Sequence, residues 1–565
     1  MKMRFLSSAI GSLTCVACTA ALSLAPAAVR AQVGNTATGA NALGSITTGN
    51  YNTADGGSAL QLNSTGSYNT ATGFAALNVN STGDANTANG YQALLNNTTG
   101  VNNVGVGYQA LFANTKGSNN TALGLQALMN NTQGGSNVAT GFQALLSNTT
   151  GNFNTGSGYQ ALYANTTGIG NTANGYKSLL ANATGGGNTA NGDESLASNT
   201  DGSNNSANGF QALFANTTGN FNTANGYQAL YKNTTGNTNT ANGVNALYSN
   251  TTGYGNTADG VNALYFNTTG IGNMANSSYS LYLNTTGSYN MASGYASLYN
   301  NTTGISNTAY GYETLYANTV GNWNTAYGLN ALKSLNGDGG SNPATAGNFN
   351  IGLGYGAGQN LTTGSNNIAI GNTGAASDNG VIRIGTSGTQ TAAFIAGING
   401  VTSSNGVPVY INANGQLGTI TSSRRFKYDI QDMGSISKKL MDLRPVSFRY
   451  KEATAEGEHP LQYGLIAEEV AKVYPDLVQY DKEGKPFTVY YHLLTPMMLN
   501  ELQKAHQRVE SQGSELDALK SEVVLLRRTQ QQQSRILVGV VLTGVLLAAF
   551  GVTAFALSAR TRFAR

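Results

Sequence analysis

The side chains able to do covalent or acid–base chemistry gather in the last third of the chain. From Ser422 to Lys427 runs Ser-Ser-Arg-Arg-Phe-Lys, which sets a hydroxyl five residues ahead of an amine. Spacing alone gives that pair no meaning, because most such pairs are solvated surface. Glu468 and Glu469 are adjacent carboxylates in a helical stretch, where such residues decorate a face more often than they form an acid/base pair. His459, His492 and His506 stand apart from one another, and none has a ligand partner at a metal-site spacing. The only cysteines, Cys15 and Cys18, lie in an N-terminal leader, so the rest of the chain has no disulfide, thiol chemistry or Cys metal site. These residues imply no cofactor and no metal.

The element that precedes this region is a repeat. One seventeen-residue unit recurs without insertion from Asn35 to about Gly337, with its phase set by a Gly at 39, 56, 73 and onward to 328. That makes eighteen copies with one lapse, Ser277. An Asn four residues before the Gly (Asn35 to Asn324) and a Leu four after it (Leu43 to Leu332) are present in every copy. A period this strict means one coil stacked on itself. Seventeen residues rich in Gly and Asn are too few and too helix-averse for a helix-turn-helix repeat. They suit a β-solenoid coil of two short strands and two turns. Thr36-Ala37-Thr38 reads as a strand with its small residue facing in. Ala42 and Leu43 follow on a second strand, and the Asn-Thr-Thr-Gly run, as at Asn97 to Gly100, closes the coil through a Gly of positive φ. Leu43, Leu60, Leu77 and Leu94 become an apolar ladder, and the Asn residues become amide ladders. Coils about 4.8 Å apart make a rod of roughly 85 Å.

Such a core is thin. Many coils add an aromatic one or five residues after the Gly: Tyr91, Phe112, Tyr163, Phe214, Tyr231, Tyr248, Tyr265, Tyr282 and Tyr299. Either these rings join the core, or they form a stripe that packs against the same stripe of other copies.

Only 9% of the 565 residues are charged, against about 25% in an ordinary domain. Twelve charged side chains fall between Asn35 and Gly340, and no basic, aromatic-interleaved stretch suggests nucleic acid. RTX-type calcium turns are excluded by the lack of regular Asp, and a glycosidase by the lack of a recurrent carboxylate pair. Residues 1–31 read as a signal peptide: Lys2 and Arg4, an apolar run, then Val29-Arg30-Ala31. Ile536 to Leu557 is 22 residues without a charge, long enough for a transmembrane helix, and 558–565 is a short basic cytoplasmic tail. The chain reads as exported, single-pass in a cytoplasmic membrane, with the fibre outside the cytoplasm.

Between these ends the expected domains are the repeat solenoid 32–342, degenerate coils 343–376 phased on Gly354 and Gly371, and a β-rich neck 377–421. A globular domain follows at 422–500, and a coiled coil at 501–534. A Gly-rich insertion of about nine residues breaks the phase after the repeats. In the neck, Val381–Ile384 and Ala393–Ile398 read as strands, and Val407–Asn412 with Gln416–Ile420 as a hairpin through Asn414-Gly415. Beyond it, a helix starts within Arg425–Leu440, and Val446–Tyr450 and Phe487–Tyr491 are strands. Ala467–Val473 is a helix after a Gly-Leu-Ile strand. From Leu493 the pattern is helical, with Leu502, Val509, Leu516 and Val523 seven apart and Leu519 and Leu526 as companions. That is a coiled-coil seam, or the buried stripe of one amphipathic helix.

The repeats resemble the heads of trimeric autotransporter adhesins, which implies a trimeric β-roll. A more specific resemblance lies in four ordered blocks: Ser422 to Ile430; Leu443-Arg444-Pro445-Val446 with Phe448-Arg449-Tyr450; Tyr463 to Val470; and Tyr474-Pro475 with Leu477-Val478. Together they resemble the endosialidase-type intramolecular chaperone, the self-cleaving domain of phage tail spikes that also occurs in myelin regulatory factor. The resemblance implies a homotrimer, a domain that templates the upstream fibre, and an autoproteolytic Ser–Lys dyad. Carried over, Ser422 is the nucleophile, Lys427 the general base and Thr421–Ser422 the scissile bond. A Ser hydroxyl is already near its own N-side carbonyl, and a Lys serves as base once burial lowers its pKa. Many members have Asp where this chain has Ser423, which leaves Ser422 and Ser423 both open as the attacking residue. The expected protein is a membrane-tethered homotrimeric fibre, adhesive or structural, with an unknown surface ligand, released by self-cleavage. An uncleaved anchored fibre and an ice- or surface-binding solenoid are the alternatives.

Overall fold

The computed structural model describes residues 33–529 except 343, 344, 397, 399–402, 404, 405, 413, 414, 453–456 and 482, with side chains through 524. The signal segment 1–31, the apolar segment 536–557, the tail 558–565 and the end of the coiled-coil stretch lie outside the described residues. No described helix is long and apolar enough to cross a membrane. The chain forms two compact units, which divide after Ala393.

The first unit is a β-solenoid. Its 21 three-residue strands, from Thr36–Thr38 to Ile382–Ile384, form one parallel sheet. Register is set by the repeat: Thr53 faces Thr70, Ala54 faces Ala71 and Asp55 faces Thr72. The middle residue of each strand points inward because period-two geometry leaves its Thr and Asn neighbours outside. Ala54, Ala71 and Ala88 are buried, as are Ala59, Ala76 and Ala93 beside Leu60, Leu77 and Leu94. One Leu and two Ala therefore form the core of a typical coil.

Two buried amide ladders flank this core. In the first, Asn188 Nδ2 donates to Asn171 Oδ1 at 3.1 Å and to the Gly202 carbonyl at 2.8 Å, and the pattern repeats coil after coil. In the second, Asn199 Nδ2 donates to Asn182 Oδ1 at 2.7 Å and to the same Gly202 carbonyl at 2.9 Å. Burying an amide is tolerable only when its donors and acceptors are paired, and the stacked repeat pairs them. The second ladder stops at Asn318, since Leu335 occupies the next position; Asn318 Oδ1 is left without a partner.

Two expectations are corrected here, and one open alternative is decided. Each coil has one strand, not two. The segment after the phase glycine is a series of turns in which two residues, Gln211 (φ 53°) and Leu213 (φ 52°) for example, are left-handed. Its N–H groups still bond to adjacent coils, Leu213 to the Ala229 carbonyl at 2.9 Å and Gln211 to Asp193 at 3.0 Å, so every second residue is turned over without losing the ladder. Secondly, the Gly that ends Asn-Thr-Thr-Gly does not have positive φ. It is required for space: a Cβ on Gly100 would lie 2.3 Å from the Gly117 carbonyl oxygen and 2.4 Å from Asn97 Oδ1. Of the two places left open for the aromatic rows, the core is not the one they take. Tyr91 and Tyr227 are exposed, Tyr231 and Tyr248 half-exposed, and the rings stack on one another along the axis, as in Tyr231–Tyr248 at 5.1 Å and Tyr248–Tyr265 at 5.0 Å. Rings on the outer face meet their own copies because the coil repeats at aromatic stacking distance.

The phase glycines explain the one lapse. Their φ is about 112° to 143°, and a Cβ on Gly226 would meet the Gly243 oxygen at 2.5 Å. Ser277 adopts φ 152° and carries that Cβ. The next coil stands off accordingly: Gly294 N–H reaches the Asn276 carbonyl at 3.2 Å, whereas Gly260 reaches Asn242 at 2.8 Å.

The insertion after the repeats is nine residues, since Asn350 bonds to Asn324 across 26 positions instead of 17 and Thr325 pairs with Ile351. The coils phased on Gly354 and Gly371 continue the sheet, and Ile382–Ile384 adds a last strand on a shortened coil, pairing with Ile368–Ile370. In that strand the inward position holds Arg383 instead of Ala, and its guanidinium makes two 2.6 Å bonds to the nearly buried Asp378 carboxylate.

Where the second unit begins, the described residues 393–396 form no strand, contrary to expectation; Phe394 is almost fully exposed. The neck hairpin is short, pairing Tyr410–Ile411 with Leu417–Gly418. Arg425–Leu440 holds no α-helix, only 3-10 segments at Arg424–Phe426 and Ile436–Asp442. Val446–Phe448 pairs with Gln462–Gly464, which places the strand before the helix earlier than Gly-Leu-Ile. Helix α1 spans Ala467–Val473, a hairpin joins Val478–Tyr480 to Pro486–Val489, and helix α2 spans Tyr491–Thr529. Val470, Leu477, Val478, Val489, Leu494 and Met497 form the core of this unit. Along α2, Leu502 is exposed and Val509, Leu516 and Val523 are partly exposed, so this part of the heptad seam is uncovered among the described residues.

Candidate self-processing site

The chain reaches the site from the neck hairpin in irregular backbone. Ser423 is extended (φ −63°, ψ 141°) and starts the 3-10 turn Arg424–Phe426. Its carbonyl accepts the Phe426 N–H at 3.0 Å, and the Arg424 carbonyl accepts the Lys427 N–H at 3.1 Å. Those two bonds fold the backbone back on itself, so residues five apart become neighbours. Lys427 Nζ lies 3.3 Å from Ser422 Oγ. Arg425 does not compete for the hydroxyl, since its guanidinium lies over the Phe426 ring, 4.7 Å from the centroid. Residues 421–432 are all exposed, and among the described residues Lys427 has no carboxylate partner.

A second Ser–Lys contact shows the contrast. Ser437, in the 3-10 segment Ile436–Asp442, is fully buried against α2. Its hydroxyl donates to Glu501 Oε1 at 2.7 Å and accepts from Asn500 Nδ2 at 2.5 Å and from Lys504 Nζ at 3.3 Å. Lys504 is paired to Glu501 at 2.6 Å, and with the Ser437 hydroxyl it holds that carboxyl below the usual carboxylate range. This cluster is a clasp between the 3-10 segment and the long helix. Its members are 63 to 67 residues apart, so no local pattern announced it.

Other predicted side chains are dispersed. Glu469 accepts two bonds from Arg444, at 3.1 and 2.5 Å, and the guanidinium holds its carboxyl below the ordinary range; Glu468 is exposed and takes no part. His459 Nδ1 lies 2.9 Å from the Tyr450 carbonyl, His492 packs edge-on against Tyr410, and His506 lies 3.2 Å from Glu510. Among the described residues no three His, Cys, Asp or Glu side chains converge on a metal position. Tyr491, which the sequence reading passed over, takes the Leu465 N–H on its hydroxyl at 2.9 Å and so ties the start of α2 to the strand before α1.

Residues 422–479 match the family model described as the chaperone of endosialidase. The match begins at Ser422, the hydroxyl that Lys427 approaches, and runs through α1 into the strand at Val478–Tyr480. No curated protein and no solved structure matches the chain.

Proposed function

We propose, with the endosialidase-chaperone segment as premise, that this chain is an exported homotrimeric fibre, adhesive or structural, whose C-terminal domain assembles it and then cuts the Thr421–Ser422 bond. The observation that carries this reading is the 3.3 Å approach of Lys427 Nζ to Ser422 Oγ at the first residue of the matched segment. In the cut, Ser422 Oγ bonds to the Thr421 carbonyl carbon and Lys427 takes the hydroxyl proton. The C–N bond breaks, the Ser422 nitrogen leaves with a proton as an amine, and Thr421 is held as an ester on Oγ. Water then hydrolyses the ester, returning the Ser422 hydroxyl and a Thr421 carboxylate. Orientation supplies much of the rate, and the base contributes about 10²- to 10⁴-fold.

A lysine is a base only when neutral, and neutrality requires a desolvated site. In one chain the pair is open to water, so the enclosure must come from other copies, brought together through the uncovered α2 seam. Cleavage then reports assembly. The cut falls between the solenoid and the apolar segment 536–557, so it frees the fibre from a membrane anchor.

Intact mass and N-terminal sequencing of the full chain test this. Wild type should show a new N-terminus at Ser422, absent in Ser422→Ala and reduced at least about 100-fold in rate in Lys427→Ala. A new terminus at Ser423 would move the nucleophile by one residue. A monomeric Leu516→Glu chain that cuts at the wild-type rate would refute the assembly requirement. An uncut wild-type chain would leave an anchored fibre, with the Ser422–Lys427 contact structural.

The surface-binding alternative rests on the outward rows of the sheet. There Asn174, Asn191, Asn208, Asn225 and Asn242 bond to one another at 2.8 Å, so these amides are already engaged with each other instead of with ordered water. Thermal hysteresis of the full chain separates the two readings.

A further inference from the structure

The nine-residue insertion in the solenoid lies beside the only tryptophan of the chain. Trp323 and Phe349 are stacked, with ring centroids 4.8 Å apart and planes at 8°. They hold the same row position in adjacent coils, and the nine-residue insertion lies between them in the chain. Along the same row the flanking residues are small, Ser306 on one side and Asn366 on the other, whose backbones bond into the adjacent coils. Each ring therefore keeps one face that no aromatic neighbour covers, unlike the continuous rows at Tyr231 to Tyr265. The two rings are 46% and 52% exposed.

The insertion lies beside this pair as Gly339, Gly340 and Ser341 and borders an open groove of about 510 Å³. That is within the range of roughly 300–1,000 Å³ typical of small-molecule sites. Polar groups line the rest of it. Asn348 and Ser365 are buried, Asn348 Oδ1 accepts the Asn322 N–H at 2.7 Å, and Asn348 donates its own N–H to Ser365 Oγ at 3.0 Å. No lining residue is charged.

We infer that this groove binds a neutral oligosaccharide. A charged ligand would find no counter-ion in it. An apolar ligand would strip water from Asn322, Ser341 and Asn366, the lining polar residues open to solvent, and offer no hydrogen bond in return, which is costly. A pyranose meets both requirements: its C–H face packs on an indole or phenyl face, and its hydroxyls pair with amides and a serine hydroxyl. The assignment of a surface ligand to the fibre rests on the reading above. The binding itself does not depend on cleavage.

Because Trp323 is the only tryptophan in the chain, intrinsic fluorescence reads this groove alone. The full-length Ser422→Ala chain, uncut by design, is titrated with cellopentaose, mannopentaose and chitopentaose. At least one should change the emission saturably, with calorimetry giving the same affinity. Phe349→Ala should weaken binding at least tenfold. Ser341→Arg, which fills the groove from its exposed rim and leaves the stack intact, should abolish binding without changing the melting temperature. If none of the three sugars shows saturable fluorescence or heat at millimolar concentration, or if Ser341→Arg binds as tightly as its parent, the inference is overturned. Wild-type processing, measured separately, bears on cleavage and leaves this result untouched.

Discussion

The buried amide ladder is the part of this fold with the largest single-residue consequence, and Asn188 is a clear place to test it. Its Oδ1 accepts the Asn205 backbone N–H at 3.0 Å and Asn205 Nδ2 at 3.1 Å. Its Nδ2 donates to Asn171 Oδ1 and to the Gly202 carbonyl at 3.1 and 2.8 Å. Asn188→Ala removes all four bonds, but the losses are unequal. Gly202 keeps its bond from Asn199, Asn205 Nδ2 keeps the Gly219 carbonyl, and Asn171 Oδ1 keeps the residue 188 N–H. Only the Asn205 N–H is left buried with no acceptor. One orphaned donor costs about 1–3 kcal/mol, and each of the other lost bonds about 0.5–1.5 kcal/mol. The expected local destabilisation is about 2.5–7.5 kcal/mol, or roughly two to five decades in hydrogen exchange. Exchange mass spectrometry of the full chain should show that loss in peptides spanning 186–208, with distant coils such as 70–90 unchanged, because each coil contacts only its neighbours. Thr189→Ala, a partly exposed neighbour, should have little effect. A drop of less than tenfold at the Asn205 amide would refute the claim that the ladder holds the coils in register.

Two further outcomes follow from strained or ionised positions. Ser277→Gly should stabilise its coil by about 1 kcal/mol, since relief of the φ 152° strain outweighs the added freedom of Gly in the unfolded chain. Slower exchange in peptides covering 274–296 would show it, and unchanged or faster exchange would count against it. At the other end, Asp378 has its carboxyl held below the usual range, first by hydrogen bonding to Arg383. The stabilisation is thus present above the ordinary carboxylate pKa and is lost as pH falls through the depressed folded value. Exchange in the last coil should accelerate below about pH 4 in wild type. Asp378→Asn should weaken that coil by about 2 kcal/mol at neutral pH and flatten the acid response. An acid response that survives the substitution would point to another group.

Much of the solenoid is determined by the sequence alone. Ala54, Leu60 and Asn52 recur at positions whose burial the period predicts, and eighteen repetitions turn a weak local preference into an unambiguous phase. The nine-residue break was legible for the same reason. Helix α1 at Ala467–Val473 was also legible, from a helical pattern after a strand. So were the four sequence blocks that include Ser422 and Lys427. Backbone handedness was not. Leu213 at φ 52° contradicts the residue's own preference, and it is held there because its N–H finds the next coil. The same holds for Gly100, whose role is absence of volume rather than freedom of φ, a fact of the coil stacked on it. Sequence left the tyrosine rows open between the core and an outer stripe; the coil interior is filled by Leu and Ala, and the rings stack outside. The Ser437–Glu501–Lys504 clasp and the Trp323–Phe349 groove join residues that only tertiary folding brings together. Sequence carries what is periodic or local; the tertiary structure decided which faces turn outward and which distant side chains meet, because those depend on the space left by everything else.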